Sequence, residues 1–202
     1  MSRKVAAETT GGKAIFEMVY LNKAFVDGIT MFSSEDIDQC RDVNRRIGHI
    51  PAGTHLIAGL DPASTGFQAC VLWASNTDTG VMYLVDVENE EGGGIIQARK
   101  TIKDWYEKYG LAHWVIEENG FQKAIRQDTE LKDYCARFGI YTEGHQTQKN
   151  KFDPIFGVGS MAQLFKEQLI NLPYGDADAE VKSNIYRRQL IYFSSASNKA
   201  KS

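Results

Sequence analysis

The sequence predicts an α/β domain built on a mixed five-stranded sheet, an antiparallel meander plus parallel strands, flanked by helices. Two observations carry this. Strand-like runs joined by short turns fill residues 56–87, and after Gly92-Gly93-Gly94 the hydrophobic period changes and helical stripes alternate with short strands. Residues 1–54 show no strand pattern. They read as a lead-in segment with short apolar pieces (Ala14 to Leu21, Phe25, Met31 to Phe32) and one short helix, which Ser33–Ser34 would cap and Glu35 and Asp36 would favour through the helix dipole. The main domain is expected over 55–193, with a polar tail at 194–202.

The first strand is Leu56-Ile57-Ala58-Gly59-Leu60-Asp61, a buried run ending in a carboxylate. A Pro-Ala-Ser-Thr-Gly turn separates it from a second run, Phe67 to Ala74. Asn76-Thr77-Asp78-Thr79-Gly80 supplies turn chemistry before the third, Val81 to Val87. Three strands joined this way form the meander. Ile95, Ala98, Ile102, Trp105 and Tyr109 then recur along one helix face, which Gly110 ends. Trp114-Val115-Ile116-Glu117 is the fourth strand. A second helical stripe of Phe121, Ile125, Leu131, Cys135 and Phe138 stops at Gly139, and Ile140 to Glu143 is the fifth strand. Two more helices are expected, over about 158–169 and 179–192, bracketing a Leu172-Pro173-Tyr174-Gly175 turn.

Composition narrows the function classes. With 43% hydrophobic and 24% charged residues in 202, one core is well supplied, and a net charge of -3 excludes coating of nucleic acid by bulk positive charge. Any DNA contact must be local. Cys40, Cys70 and Cys135 are widely spaced and without a C-x-x-C pair, so they read as reduced thiols rather than a disulfide framework or zinc site. No apolar run approaches the roughly 18 residues of a membrane span, and the polar start has no signal-peptide core. A soluble, intracellular protein is expected.

Asp61 and Glu117 each sit where a hydrophobic strand runs out. If those strands are neighbours, the carboxylates converge, and paired oxygen ligands suit a hard cation such as Mg2+ or Mn2+. Two such ions about 3.5–4 Å apart would clamp both oxygens of a phosphodiester displacement. Either residue alone is more simply a turn or helix cap; the pair favours metal chemistry. Glu118 is set aside because successive strand residues point to opposite faces, which leaves Glu117 and Asn119 on one side.

Four stretches carry a family resemblance: Ala58-Gly59-Leu60-Asp61-Pro62-Ala63 with Gly66; Val115-Ile116-Glu117-Glu118-Asn119-Gly120-Phe121-Gln122; Thr147-x-x-Asn150-Lys151-x-Asp153; and Leu172-Pro173-Tyr174-Gly175-Asp176. In content and order they resemble the nuclease domain of tailed-bacteriophage large terminase subunits, of the ribonuclease H-like superfamily. Tyr20-Leu21-Asn22 resembles the end of that family's ATPase-to-nuclease junction, which would make 1–54 the junction and 55–193 the nuclease domain. The resemblance implies a two-metal endodeoxyribonuclease that cuts concatemeric double-stranded DNA during genome packaging. It also implies the terminase small subunit, the portal protein and an ATPase domain as partners, in the cytoplasm of an infected or prophage-carrying bacterium.

By position Asp61 and Glu117 match the family's first two metal carboxylates. Its third lies on a helix in an Asp-Asp-Leu/Ile-Val type sequence, which nothing after Phe193 matches, so a truncated chain is implied. Asp153, Asp176 and Asp178 are the remaining candidates, each more simply a turn or cap residue. Gly11-Gly12-Lys13-Ala14 lacks the first glycine and the hydroxyl of a phosphate-binding loop, so no packaging motor is expected here. Lys149, Asn150 and Lys151 form a polar, basic loop suited to DNA phosphates, with His145 as a supporting base or ligand. Lys182, Arg187 and Arg188 would extend a basic stripe, or be an ordinary solvated face. Trp105, Tyr106 and Tyr109 read as core packing, and Gly92-Gly93-Gly94 as a flexible connector.

Three alternatives stand beside this reading. A Holliday-junction resolvase or transposase core shares the fold and first two acids. An actin-like or sugar-kinase domain would use Gly59-Leu60-Asp61 through Gly66 as a phosphate hairpin, but Glu117-x-Asn119 stands where its second hairpin belongs. A catalytically incomplete terminase remnant would act only as a docking module.

Overall fold

The computed structural model describes residues 32–63, 66–118, 123–146, 158 and 160–192. The expectations for Ala14 to Leu21, for Tyr20-Leu21-Asn22 and for Gly11-Gly12-Lys13 lie outside them. So do those for Asn119, Phe121, Thr147, Lys149, Asn150, Lys151, Asp153 and the tail.

In chain order the elements are α1 (Ser34–Gln39), β1 (Arg41–Asp42), β2 (His55–Asp61), β3 (Phe67–Ser75), β4 (Met82–Glu91), α2 (Gly94–Tyr109), β5 (His113–Glu117), α3 (Lys123–Gln127), α4 (Thr129–Phe138), β6 (Tyr141–His145), α5 (Ser160–Lys166), β7 (Ile170–Pro173) and α6 (Ala177–Tyr192). They form one seven-stranded sheet in the order β1-β7-β4-β3-β2-β5-β6. The meander is as expected: β2 pairs antiparallel with β3, and β3 with β4. Every other pairing is parallel.

Local chemistry explains the boundaries. Ser33 caps α1, its Oγ accepting from the Asp36 N–H at 3.4 Å. The Asn76 side chain accepts from the Asp78 and Thr79 N–H groups, both at 3.0 Å, closing the β3–β4 turn. The helical stripe read as one helix over Phe121 to Phe138 is two, α3 and α4. Asp128 breaks it by accepting from the Leu131 N–H at 2.8 Å as the cap of α4.

The sheet count is also corrected, from five strands to seven among the described residues. The added strands are β1, inside the segment read as a lead-in, and β7, which includes the Leu172 and Pro173 read as a turn.

Strand alternation splits the sheet into two buried faces. On one, Ala58, Leu60, Leu72 and Ile116 pack with Ala98, Ile102 and Trp105 of α2, Ile125 of α3 and Leu131 of α4. Trp105 meets Trp114 at 5.7 Å between ring centroids and Tyr109 edge-on at 6.0 Å, the core packing expected of that aromatic group. On the other, Trp73, Leu84, Ile170 and Leu172 pack with Phe32, Ile37 of α1, Phe165 of α5 and Tyr186, Leu190 and Ile191 of α6. Phe32, Ile37 and Cys40, which precede β2, are therefore part of this core. Arg187 of α6 grips Asp38 of α1 through Nε and Nη2, both at 2.7 Å, and this holds the Asp38 carboxyl below its usual range. Cys40, Cys70 and Cys135 are buried free thiols.

Candidate metal-binding carboxylate site

The site begins with register. β2 and β5 are adjacent and parallel, with Ala58 opposite Trp114, Gly59 opposite Val115 and Leu60 opposite Ile116. Asp61 and Glu117 are the next residue on each strand, so the two acids occupy neighbouring strand ends at the C-terminal edge of the sheet. Leu60 and Ile116 belong to the core beneath α2. By alternation Asp61 and Glu117 both project to the opposite face. Asp61 is exposed and Glu117 half-buried. β6 continues the row, because Glu117 pairs with His145, which is exposed at the end of its strand. Asp61, Glu117 and His145 thus share one edge of three neighbouring strands.

Glu118 turns the other way, as alternation requires. Its carboxylate accepts from Arg126 Nη1 at 2.7 Å, and its N–H donates to the His145 carbonyl at 2.7 Å.

Asp176 lies elsewhere. Its Oδ1 accepts from the Ala179 N–H at 2.8 Å, which makes it the cap of α6, and Arg46 approaches it at 3.8 Å. α6 follows β7, and β7 is three strand spacings, about 14 Å, from β2. Asp178 is on the first turn of the same helix. Among the described residues no group of three or more His, Cys, Asp or Glu side chains is arranged to hold a metal ion.

Of the three cations on the last helix that a basic stripe would need, two are occupied. Lys182 bonds Asp86 at 2.5 Å and Arg187 is committed to Asp38, leaving Arg188 exposed.

The glycine run beside the site also differs from its reading as a flexible connector. The Gly92 N–H donates to the Gly66 carbonyl at 2.7 Å and the Gly94 N–H to the Ala63 carbonyl at 3.0 Å. The β2–β3 loop, which follows Asp61, is thereby clamped to the start of α2. A Cβ on Gly92 would overlap the Ala63 carbonyl, and Gly94 has φ +65°, so both positions call for glycine. Gly92→Ala is expected to cost about 1–3 kcal/mol, as overpacking against backbone does. A urea midpoint unchanged from wild type would show that the clamp yields freely.

No family model and no curated protein matches this sequence. Solved structures do. The sheet order and the helices on both faces make this an α/β fold of ribonuclease H-like architecture. More specifically, the fold is that of large terminase nuclease domains. The large terminase nuclease from thermophilic phage G20c with bound magnesium superposes with a TM-score of 0.53 at 16% identity, covering 76% of this chain and 78% of that one. The large terminase from a second thermophilic bacteriophage superposes at 0.50 with 11% identity, covering 84% of this chain and 44% of that one. Among the described residues, no helix is long and apolar enough to cross a membrane.

Proposed function

We propose that this chain is a divalent-metal-dependent endonuclease domain of the phage large terminase kind, cutting concatemeric double-stranded DNA during genome packaging. The observation that supports the reading is the parallel β2–β5 register through Leu60 and Ile116, which makes the strand ends that carry Asp61 and Glu117 neighbours. The magnesium bound by the G20c nuclease, whose fold this chain shares, supports it.

The donor set fits a hard cation, since it offers carboxylate oxygens and no thiolate; the three cysteines are buried elsewhere. Asp61 and Glu117 would hold Mg2+ or Mn2+, two ions in the full form of the reading. The cation would supply a nucleophile from water and stabilise the leaving oxygen. The chain's own part is to fix the two carboxylates. The Gly92 clamp holds the loop after Asp61, and pairing with His145 of β6, next to the β2–β5 pair at Ile116, holds Glu117. His145 would orient a proton or water beside Glu117. Lys149, Asn150 and Lys151 would meet DNA phosphates, and Asn119 would support Glu117. Asp153 would complete the ligand set in preference to Asp176, which the α6 cap already employs. The small subunit, the portal protein and an ATPase domain are the proposed partners.

The test is nicking of supercoiled plasmid by the purified chain with Mn2+ or Mg2+, with EDTA and with Asp61→Asn and Glu117→Gln. Metal-dependent cutting that both variants lose supports the reading. Cutting that survives EDTA, or that both variants retain, sinks it.

A further inference from the structure

The strand end that presents Glu117 has a second glutamate attached to it. Glu118 crosses to the other face of the sheet and lies over Gly144 of β6, where a Cβ would overlap its carboxylate, so β6 leaves room for it only by having glycine there. The carboxylate accepts from Arg126 Nη1 at 2.7 Å, and the Glu118 and Arg126 side chains are only 15% and 35% exposed. Arg126 is on α3, directly after the fully buried Ile125, so the cation is anchored to the core. The Glu118 N–H bond to the His145 carbonyl extends the β5–β6 ladder one residue past the strand end.

We propose that Glu118 and Arg126 are positioning residues for Glu117. The idea rests on the nuclease reading above and names what holds one of its ligands in place. Two consequences follow from the geometry. Pinning residue 118 to one face fixes residue 117 on the other, because a strand end free to rotate or slip would lose the alternation that aims Glu117 beside Asp61. The guanidinium also occupies the Glu118 carboxylate and so keeps that side chain on its own face, away from the one that Glu117 presents.

The test is Mn2+ titration of the intact chain, followed by the electron paramagnetic resonance signal of free Mn2+, with a thermal melt of every variant. Glu118→Gln and Arg126→Ala are expected to weaken Mn2+ binding about 10-fold or more, the range for partners that orient a metal ligand. Arg126→Lys should recover part of the loss. A merely structural pair would lower the melting temperature and leave the affinity of the folded protein unchanged. Wild-type binding that ignores Asp61→Asn and Glu117→Gln would remove the nuclease reading and this role with it. Binding that depends on those two residues yet is unchanged or tighter in Glu118→Gln and Arg126→Ala would overturn the positioning role alone. Glu118→Gln is isosteric and keeps the test open if Arg126→Ala does not fold.

Discussion

Plasmid cutting by Asp61→Asn and by Glu117→Gln is expected to fall by more than about 100-fold each, since charge stabilisation by a bound cation is worth several kcal/mol and about 1.4 kcal/mol is a factor of ten. Both substitutions keep size and shape, so the loss reports charge and ligation rather than packing. Asp61 is exposed and follows the last β2–β5 pair, so changing it should leave the melting temperature close to wild type. The double variant should be little worse than either single one. Two ligands of one cation act as a unit, and removing the second takes away what the first has already disabled. Loss factors that instead multiplied in the double variant, measured as initial nicking rates at saturating Mn2+, would mean the residues act at separate places. A Glu117→Gln variant as active as wild type would move the role to another acid.

The adjacency of those two strand ends was legible in the sequence because its signal is local on each strand and simple across them. Leu56 to Asp61 and Trp114 to Glu117 are short apolar runs that end in an acid, and any parallel pairing in near register brings the acids together. The face assignment was legible too, since the two-residue period of a strand by itself separates Glu117 from Glu118. The partner of Glu118 was not. Arg126 meets it only because α3 folds back over β6, and no periodicity encodes that.

β7 was hidden by its own residues. Leu172-Pro173-Tyr174-Gly175 has the composition of a turn, yet the Leu172 and Tyr174 N–H groups donate to the Cys40 and Asp42 carbonyls at 2.8 Å each. By alternation the missing N–H of Pro173 falls on the β4 side, past the last β4–β7 pair at Asn171, where no donor is required. β1 has two residues, too few to show any period. The break at Asp128 did carry a signal: Asp-Thr-Glu ahead of Leu131 is helix-start chemistry, and Ile125 and Leu131 are spaced as no single helical stripe spaces them. The glycine clamp was missed because composition reports what glycine permits and is silent on what approaches it.

Lys182→Met is expected to destabilise the chain by about 3 kcal/mol at neutral pH, the lower end of the cost of breaking a buried ion pair from one side. β4 pairs with β7 only through Met82 and Tyr83, and beyond that the Gly48 N–H takes over, donating to the Val85 carbonyl at 2.8 Å. Asp86 comes next on β4 and is fully buried. Its Oδ1 accepts from Lys182 Nζ at 2.5 Å and from the Val87 N–H at 2.8 Å, and its Oδ2 from the Tyr109 hydroxyl at 2.5 Å and Lys108 Nζ at 3.2 Å. One carboxylate thus joins α2, β4 and α6. Burial pushes its pKa up, but the bonds from Lys182 and Tyr109, with the charges of Lys182 and Lys108, outweigh that and hold it below the ordinary value. A lowered folded pKa gives stability that is fully present above the unfolded value, about 3.9, and is lost as pH falls through the folded one. Without Lys182 the burial effect is opposed by less, so the variant holds a charge it can ill accommodate at neutral pH and is relieved of it by protonation. The deficit relative to wild type should therefore be largest near pH 7 and shrink as pH drops below about 4. Urea midpoints at both pH values measure it. Adding Asp86→Asn to Lys182→Met removes the stranded charge and should return part of the loss. A small deficit that does not change with pH would show that Lys108 and Tyr109 alone suffice to hold the buried carboxylate.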